Sequence, residues 1–351
     1  PKNQMTFAET LLDWYHDNKR DLPWRSTNDP YIIWLSEVIL QQTRVDQGLP
    51  YFIKFAANYP TVRHFAEATE DDILRDWQGL GYYSRGRNMH KTARMVMEEH
   101  SGYFPRTYTE LIRLKGIGEY TAAAISSFSA NEPRAVVDGN VYRLLSRYFG
   151  ISEPVNSTRG KKIFAGLAQE LLDPDHPALF NQAVMEFGAL QCKPRNPDCS
   201  VCPFGPECAA RKEDRVSELP VKLKANPPRS RYFNYLVLKD GSRVAMRKRE
   251  GSDIWQNLYE FPLIETVQPV AAADLLKGPE YFGTWGRKGR ILAENGPVIH
   301  QLSHQRIHAR FIEIAGFELP DNQQLLWIDP QETGTPAVPK LISDFLKKYL
   351  S

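Results

Sequence analysis

The sequence predicts an all-helical domain joined by a linker to a smaller α+β domain. Three observations predict this layout. From residue 5 to about 190 the apolar residues recur at helical spacing. Residues 217–231, "SELPVKLKANPPRSR", are rich in proline and basic residues and short of large apolar ones, the composition of a linker. Beyond them come β-like runs, "YFNYLVL", "SRVAMRKR", "LYEFPLIE", "ARFIEIAGFEL" and "QQLLWID", and then one amphipathic helix, "PKLISDFLKKYL". The expected division is a helical domain over 1–216, a linker over 217–231 and a second domain over 232–351.

Each helical element carries its own local signal. Asp29-Pro30 opens "YIIWLSEVILQQT", with proline at the first helical position. Thr107-Tyr108-Thr109-Glu110 has the form of a capping box before "LIRL". Asp138 suits the N-cap of "VYRLLSRYF". "ALFNQAVMEFGALQC" is a further apolar helix ending near a glycine.

Composition narrows the function classes. At 351 residues, two domains are expected. Net charge is only +2, so a nucleic-acid-binding assignment must rest on local sites rather than on bulk charge. No run of 18 apolar residues and no secretory signal pattern is present, so a cytoplasmic protein without a membrane partner is expected.

The four cysteines, Cys192, Cys199, Cys202 and Cys208, are spaced C-x6-C-x2-C-x5-C. Thiolates packed this closely in a cytosolic chain read as a metal site rather than as disulfides. Zinc and an iron–sulfur cluster both accept four thiolates, and spacing physics alone leaves them even. The spacing resembles the [4Fe–4S] loop of the endonuclease III superfamily of DNA glycosylases, which implies a structural [4Fe–4S] cluster as cofactor. The first loop carries Lys193 and Arg195, which could meet a phosphate.

Glu37 lies in "IIWLSEVIL", with apolar residues on nearly every side of the helix. A glutamate there is desolvated, which raises its pKa and favours the protonated acid. The alternative is a narrow polar stripe with Ser36, Gln41 and Gln42, the glutamate being salt-bridged. "SEVILQQT" resembles the motif of the adenine DNA glycosylases, the MutY family, in which this glutamate is the general acid. Asp138 in "AVVDGNV" is by local pattern an N-cap. The resemblance implies that it is also the superfamily's second carboxylate. Glu37 would then protonate adenine at N7, Asp138 would stabilise or capture the sugar cation, and Asn140 would help hold the arrangement. The target base must leave the duplex to reach such a pocket.

"LKGIGEYTAAA" (114–124) resembles the helix–hairpin–helix signature of the same superfamily. Gly116 and Gly118 permit conformations that other residues resist, and let backbone N–H groups approach a phosphate. Superfamily members that also cut the strand carry lysine where this chain has Tyr120. A phenol cannot form a Schiff base, so base removal without efficient lyase activity is expected. A helix-packing role for Tyr120 stays open.

Further segments resemble parts of the family's DNA site. Gln42, Leu80 and Tyr82 match residues that enter or brace the gap around the mismatch, and Thr43 matches a contact to the damaged guanine. Arg25 and Gln182 match positions near the flipped adenine; some members have Glu in place of Gln182. The second domain resembles a MutT-like (Nudix-fold) domain, but no Arg-Glu…Glu-Glu run follows "YEFPLIET", so pyrophosphohydrolase activity is not expected. "QLSHQ" (301–305) resembles the family's F-S-H loop for 8-oxoguanine, with Leu302 for phenylalanine, Ser303 as the base-reading residue and His304 beside it. His300, His304 and His308 recur every four residues, and loop and strand histidines are preferred to a metal site. The resemblance therefore implies a monomeric, monofunctional glycosylase whose partner is double-stranded DNA carrying adenine opposite 8-oxoguanine or G. The rivals are an endonuclease III-like lyase, a cluster-bearing DNA-binding protein without catalysis, and a Nudix hydrolase.

Overall fold

The structure is a computed structural model that describes residues 6–224, 226–278, 289–317, 325–332 and 335–349. The ends of "ARFIEIAGFEL", "QQLLWID" and "PKLISDFLKKYL" lie outside the described residues. The chain divides into two compact units. One comprises residues 1–67 and 88–224, the other residues 68–87 and 225–351.

The first unit is helical. Its main elements are α1 (Phe7–Asn18), α2 (Pro30–Ile39), α3 (Val45–Asn58), α4 (Glu119–Ala130), α5 (Gly139–Phe149), α6 (Thr158–Leu171) and α7 (Pro177–Leu190). Thr6 and Glu9 form a complete capping box at α1. Asp29 caps α2 by accepting from the Tyr31 N–H, with Pro30 at the first position. Trp34, Phe55 and Phe65 are fully buried together, Trp34 and Phe65 meeting edge to face with ring centroids 5.6 Å apart. A second core gathers Leu11, Leu144, Phe164, Phe180 and Phe187. The alanines of "YTAAA" are all buried, and their small side chains let α4 pack close to its neighbours.

The capping box expected at Thr107–Glu110 does not form. The Thr107 hydroxyl donates to Glu110 Oε2 at 2.5 Å, and neither side chain caps the backbone. The helix there is one turn, Tyr108–Leu111, and the Tyr108 N–H is satisfied instead by Glu132 Oε2 at 2.9 Å.

The second unit is built on a mixed sheet of seven strands among the described residues. These are β1 (Arg229–Asp240), β2 (Arg243–Lys248), β3 (Tyr259–Glu260), β4 (Leu263–Thr266), β5 (Arg290–Gln301), β6 (Gln305–Ala315) and β7 (Leu326–Ile328). Their order is β3-β2-β1-β6-β5, with β4 pairing β1 and β7 pairing β2. β1 and β6 run parallel, from Arg229 opposite Gln305 to Leu238 opposite Ile314. Phe345, on the terminal helix α8 (Lys340–Tyr349), stacks on Phe311 of β6 at 3.9 Å. Strand β5 is not among the expected β runs. Its central "ENGP" reads as a turn, and the structure absorbs it as register shifts between Ile291 and Ala293 and between Asn295 and Val298.

Candidate active site

Helix α2 carries Glu37 between the fully or nearly fully buried Trp34, Leu35, Val38 and Ile39. Glu37 is of intermediate exposure as a residue, but its carboxyl group is buried. Burial pushes its pKa up to about 7. The Tyr120 hydrogen bond lowers it, the Asp138 charge raises it, and the Arg25 charge lowers it. Glu37 is in no ion pair among the described residues, and the polar stripe is split: Ser36 donates to the Ile33 carbonyl and Gln41 to the Thr121 hydroxyl. The Tyr120 hydroxyl has one proton and two neighbours, the Glu37 carboxyl and the Met185 Sδ at 3.6 Å. Burial keeps that phenol protonated, well above its ordinary pKa.

Asp138 is the N-cap of α5. Its Oδ1 accepts from the N–H groups of Asn140 and Val141, each at 2.8 Å, and its Oδ2 accepts from Asn140 Nδ2 at 2.8 Å. Asn140 is held in turn by Arg143, whose Nη2 donates to Asn140 Oδ1 at 2.8 Å. Burial raises the Asp138 pKa, and the Val141 and Asn140 hydrogen bonds work against that rise. One residue therefore starts a helix and places a carboxylate beside Glu37 and Tyr120.

Arg25 and Gln182 lie at the same site, and the structure gives both partners. Tyr15 donates to Gln182 Oε1 at 3.1 Å, which turns the amide N–H groups the other way. Arg25 donates through both Nη atoms to Glu186, at 3.0 and 2.7 Å, and Arg20 donates to the same carboxylate through Nε and Nη2 at 2.9 and 2.7 Å. The Glu186 side chain is 1% exposed. Burial pushes its carboxyl up, but the Arg20 and Arg25 hydrogen bonds outweigh that and bring it down to about 2.

The hairpin glycines differ. Gly116 has φ +78, and a Cβ there would lie 2.7 Å from Asn88 Cβ, so only glycine fits. Gly118 has an ordinary φ of −93 and nothing within 4 Å of its Cβ position, so neither strain nor crowding demands glycine there. Gln42, just past α2, is exposed with φ 55, and the Thr43 hydroxyl donates to the Gln41 carbonyl at 3.3 Å.

The four cysteines ring one small cavity walled by Leu144, Phe187 and Phe204. Arg147, 3% exposed, ties this loop to α5 by donating to the carbonyls of Lys193 and Leu219 at 2.7 and 2.9 Å. Among the described residues no group of three or more histidine, cysteine or carboxylate side chains is close enough to share one metal ion. The histidine triplet makes no such group either, since His308 stacks on Tyr232 and His300 meets Trp255 edge-on.

In the second unit Leu80, Tyr82, Ser303 and His304 line one cavity of about 430 Å³. Leu80 is 6% exposed and forms its wall, whereas Tyr82 is 47% exposed, with φ 45.

Residues 35–167 match the family described as HhH-GPD superfamily base excision DNA repair protein, and residues 234–348 match the NUDIX domain. An adenine DNA glycosylase of Buchnera aphidicola subsp. Baizongia pistaciae is 33% identical, over 98% of this chain and 98% of its own. The chain belongs to the adenine DNA glycosylase family. The Homo sapiens adenine DNA glycosylase is 31% identical over 98% of this chain and 74% of its own. A solved thermostable thymine-DNA glycosylase aligns at TM-score 0.55 and 30% identity, over 59% of this chain and 95% of that one. A trapped endonuclease III–DNA covalent intermediate shares the fold at TM-score 0.52 and 20% identity, over 59% of this chain and 94% of that one. As a member of this family the chain is a DNA N-glycosylase of base excision repair.

For an adenine DNA glycosylase, the residues that sequence reasoning missed are those that hold the named ones. Glu186 and Arg20 anchor Arg25, Arg143 orients Asn140, and Gly188 lets α7 approach the start of α5. A Cβ at Gly188 would lie 2.6 Å from the Asn140 carbonyl oxygen and 2.7 Å from Asn140 Cβ. Gly188→Ala must therefore displace Asn140 and with it Asp138. Single-turnover adenine excision is expected to fall about 10- to 100-fold with DNA affinity changed far less, since small misplacements near reacting atoms cost that much. An unchanged excision rate would show that the contact relaxes elsewhere.

Proposed function

We propose that this glycosylase excises adenine opposite 8-oxoguanine, and more slowly opposite G, with Glu37 as general acid and Asp138 as the charge beside the sugar. The observation that carries this reading is Glu37 raised to about 7 next to Asp138 and Tyr120. A carboxyl with that pKa holds a proton at neutral pH and can deliver it to adenine N7. Loss of the base leaves an oxocarbenium-like sugar, and the Asp138 carboxylate stabilises or captures it until water adds. Two carboxyls in different surroundings supply the two roles.

Tyr120 supports a monofunctional enzyme, because a phenol in the position of the lyase lysine cannot form an imine. Gly118, uncrowded at the start of α4, offers backbone N–H groups to a DNA phosphate. The second unit, whose sequence lacks the Nudix catalytic run, takes the 8-oxoguanine into its 430 Å³ cavity, where Ser303 reads the base and His304 and Tyr82 flank it. A monomer acting on double-stranded DNA completes the reading, with the catalytic domain over 1–216, apart from residues 68–87 that group with the second unit, and the recognition domain over 232–351.

Cys192, Cys199, Cys202 and Cys208 would hold a [4Fe–4S] cluster. Their arrangement around a cavity, rather than about a point, suits a group with its own volume better than a single zinc ion. When bound, the cluster serves as a structural crosslink of the loop. Iron–sulfur absorbance of the purified protein is the check, and zinc without that absorbance counts against it.

The central assay uses duplexes carrying adenine opposite 8-oxoguanine, adenine opposite G, and oxidised pyrimidines, analysed before and after alkali. Adenine loss revealed only by alkali is the expected result. Strand cuts without alkali would sink the monofunctional reading. Introducing lysine, Tyr120→Lys, is expected to add alkali-independent cleavage and a borohydride-trappable adduct.

A further inference from the structure

The cavity of the second unit has walls fixed by charge. Arg231, 9% exposed, donates to both oxygens of Glu265, each at 2.7 Å, to both oxygens of Asp253 at 3.0 and 2.8 Å, and to Gln305 Oε1 at 2.9 Å. Asp253 also accepts from the Ile254 N–H at 2.7 Å and from Arg249 Nη2 at 2.6 Å. A carboxylate has about four acceptor sites. Four donors already fill them, so Asp253 lines the cavity without being able to read what enters it. It pins the loop in which Trp255 and Asn257 stand at φ 60 and 65, a region that side-chain-bearing residues rarely occupy.

Gln305 is different. Arginine only donates, so the amide oxygen of Gln305 must face Arg231 and the amide nitrogen must point elsewhere. That nitrogen donates to none of the described residues, and Gln305 lines the same cavity as Ser303 and His304. The pocket thus has at its wall a residue whose amide orientation Arg231 sets.

We infer that Gln305 is a specificity-determining residue of this pocket, its Arg231-oriented amide N–H donating to the carbonyl oxygen that oxidation places on C8 of guanine. The inference rests on the proposed reading of the cavity as the 8-oxoguanine site. Guanine has C–H at that position and leaves the donor without that partner, which costs affinity wherever the base excludes water from it. Neither the family's loop pattern nor the spacing of the histidines points to position 305. The signal is the donor-only partner on its far side.

The test measures affinity of the full chain for duplexes carrying a non-cleavable 2′-fluoro-deoxyadenosine opposite 8-oxoguanine or opposite G, at one salt concentration. Gln305→Glu keeps an oxygen on Arg231 and replaces the donor by an acceptor. Gln305→Leu removes both. Both variants are expected to lower the 8-oxoguanine-to-guanine affinity ratio by about tenfold, the weight of one hydrogen bond with its desolvation. An unchanged ratio in the leucine variant overturns the inference alone, as does an equal loss on the two duplexes. Equal binding of the two duplexes by the unmodified chain overturns the reading of the cavity, and the role of Gln305 falls with it.

Discussion

Glu37→Gln is expected to lower single-turnover adenine excision by about 10²- to 10⁴-fold, the range for loss of a general acid, while leaving DNA affinity nearly intact. Glutamine matches the shape of the carboxyl and cannot deliver a proton. The pH profile carries the sharper information. With a pKa of about 7, Glu37 is protonated below that pH and ionised above it, so excision should be flat on the acid side and fall tenfold per unit above about 7. In the glutamine variant that alkaline limb should vanish. The stability consequence has the opposite sign. A carboxyl whose folded pKa lies above its unfolded value stabilises the fold below the unfolded pKa and loses that contribution as pH rises through about 7. At pH 8, therefore, Glu37→Gln should be more thermostable than the native chain, and at pH 5 the difference should shrink. A glutamine variant that keeps excising adenine removes Glu37 from the mechanism.

Glu186→Gln should have the largest effect on stability. It removes the carboxylate shared by Arg20 and Arg25 and leaves two guanidinium groups around a neutral amide. Breaking a buried pair from one side costs about 3–5 kcal/mol, and Arg20, 33% exposed, can partly escape to water, so the lower end is expected. For a unit of this size that is a Tm decrease of about 6–12 °C. The acid side supplies the check on cause. A folded pKa of about 2 means that the carboxylate's contribution is complete above its unfolded pKa and is lost as pH falls through about 2. The difference between native and variant chains should therefore close in strong acid. Freed from Glu186, Arg25 should also shift the alkaline limb of excision, because its charge lowers the Glu37 pKa. A Tm that does not move would mean the cluster is solvated in solution.

These two glutamates show what the sequence can and cannot disclose. Both sit in apolar helices, Glu37 in "WLSEVIL" and Glu186 in "AVMEFGAL". By local pattern each is a desolvated carboxyl, yet one is pushed up to about 7 and the other drawn down to about 2. The difference lies in partners some 160 residues away, at Arg20 and Arg25, which no periodicity reveals. Local signals did predict local structure: the Asp29 and Asp138 caps and the helix over "ALFNQAVMEFGALQC" all stand. They failed at Thr107, whose hydroxyl bonds the Glu110 side chain and caps no backbone group, and where β5 carries a turn-like sequence through a ladder. The glycine signal was half right, because Gly116 is required by φ and packing while Gly118 is required by neither.

The Arg143–Asn140–Asp138 contacts have a consequence for where protons can reside. A guanidinium can only give hydrogens. Arg143 therefore compels Asn140 to receive with its oxygen and give with its nitrogen, and Asn140 in turn gives that hydrogen to Asp138 Oδ2. The chain of bonds runs one way. An amide in place of the acid would set its own N–H against the Asn140 side chain or against the Asn140 and Val141 N–H groups. Of two neighbouring carboxyls, the scaffold thus hands three donors to Asp138 while burial raises the Glu37 pKa to about 7, and the direction of one of those donors is set by an arginine that need never touch the base.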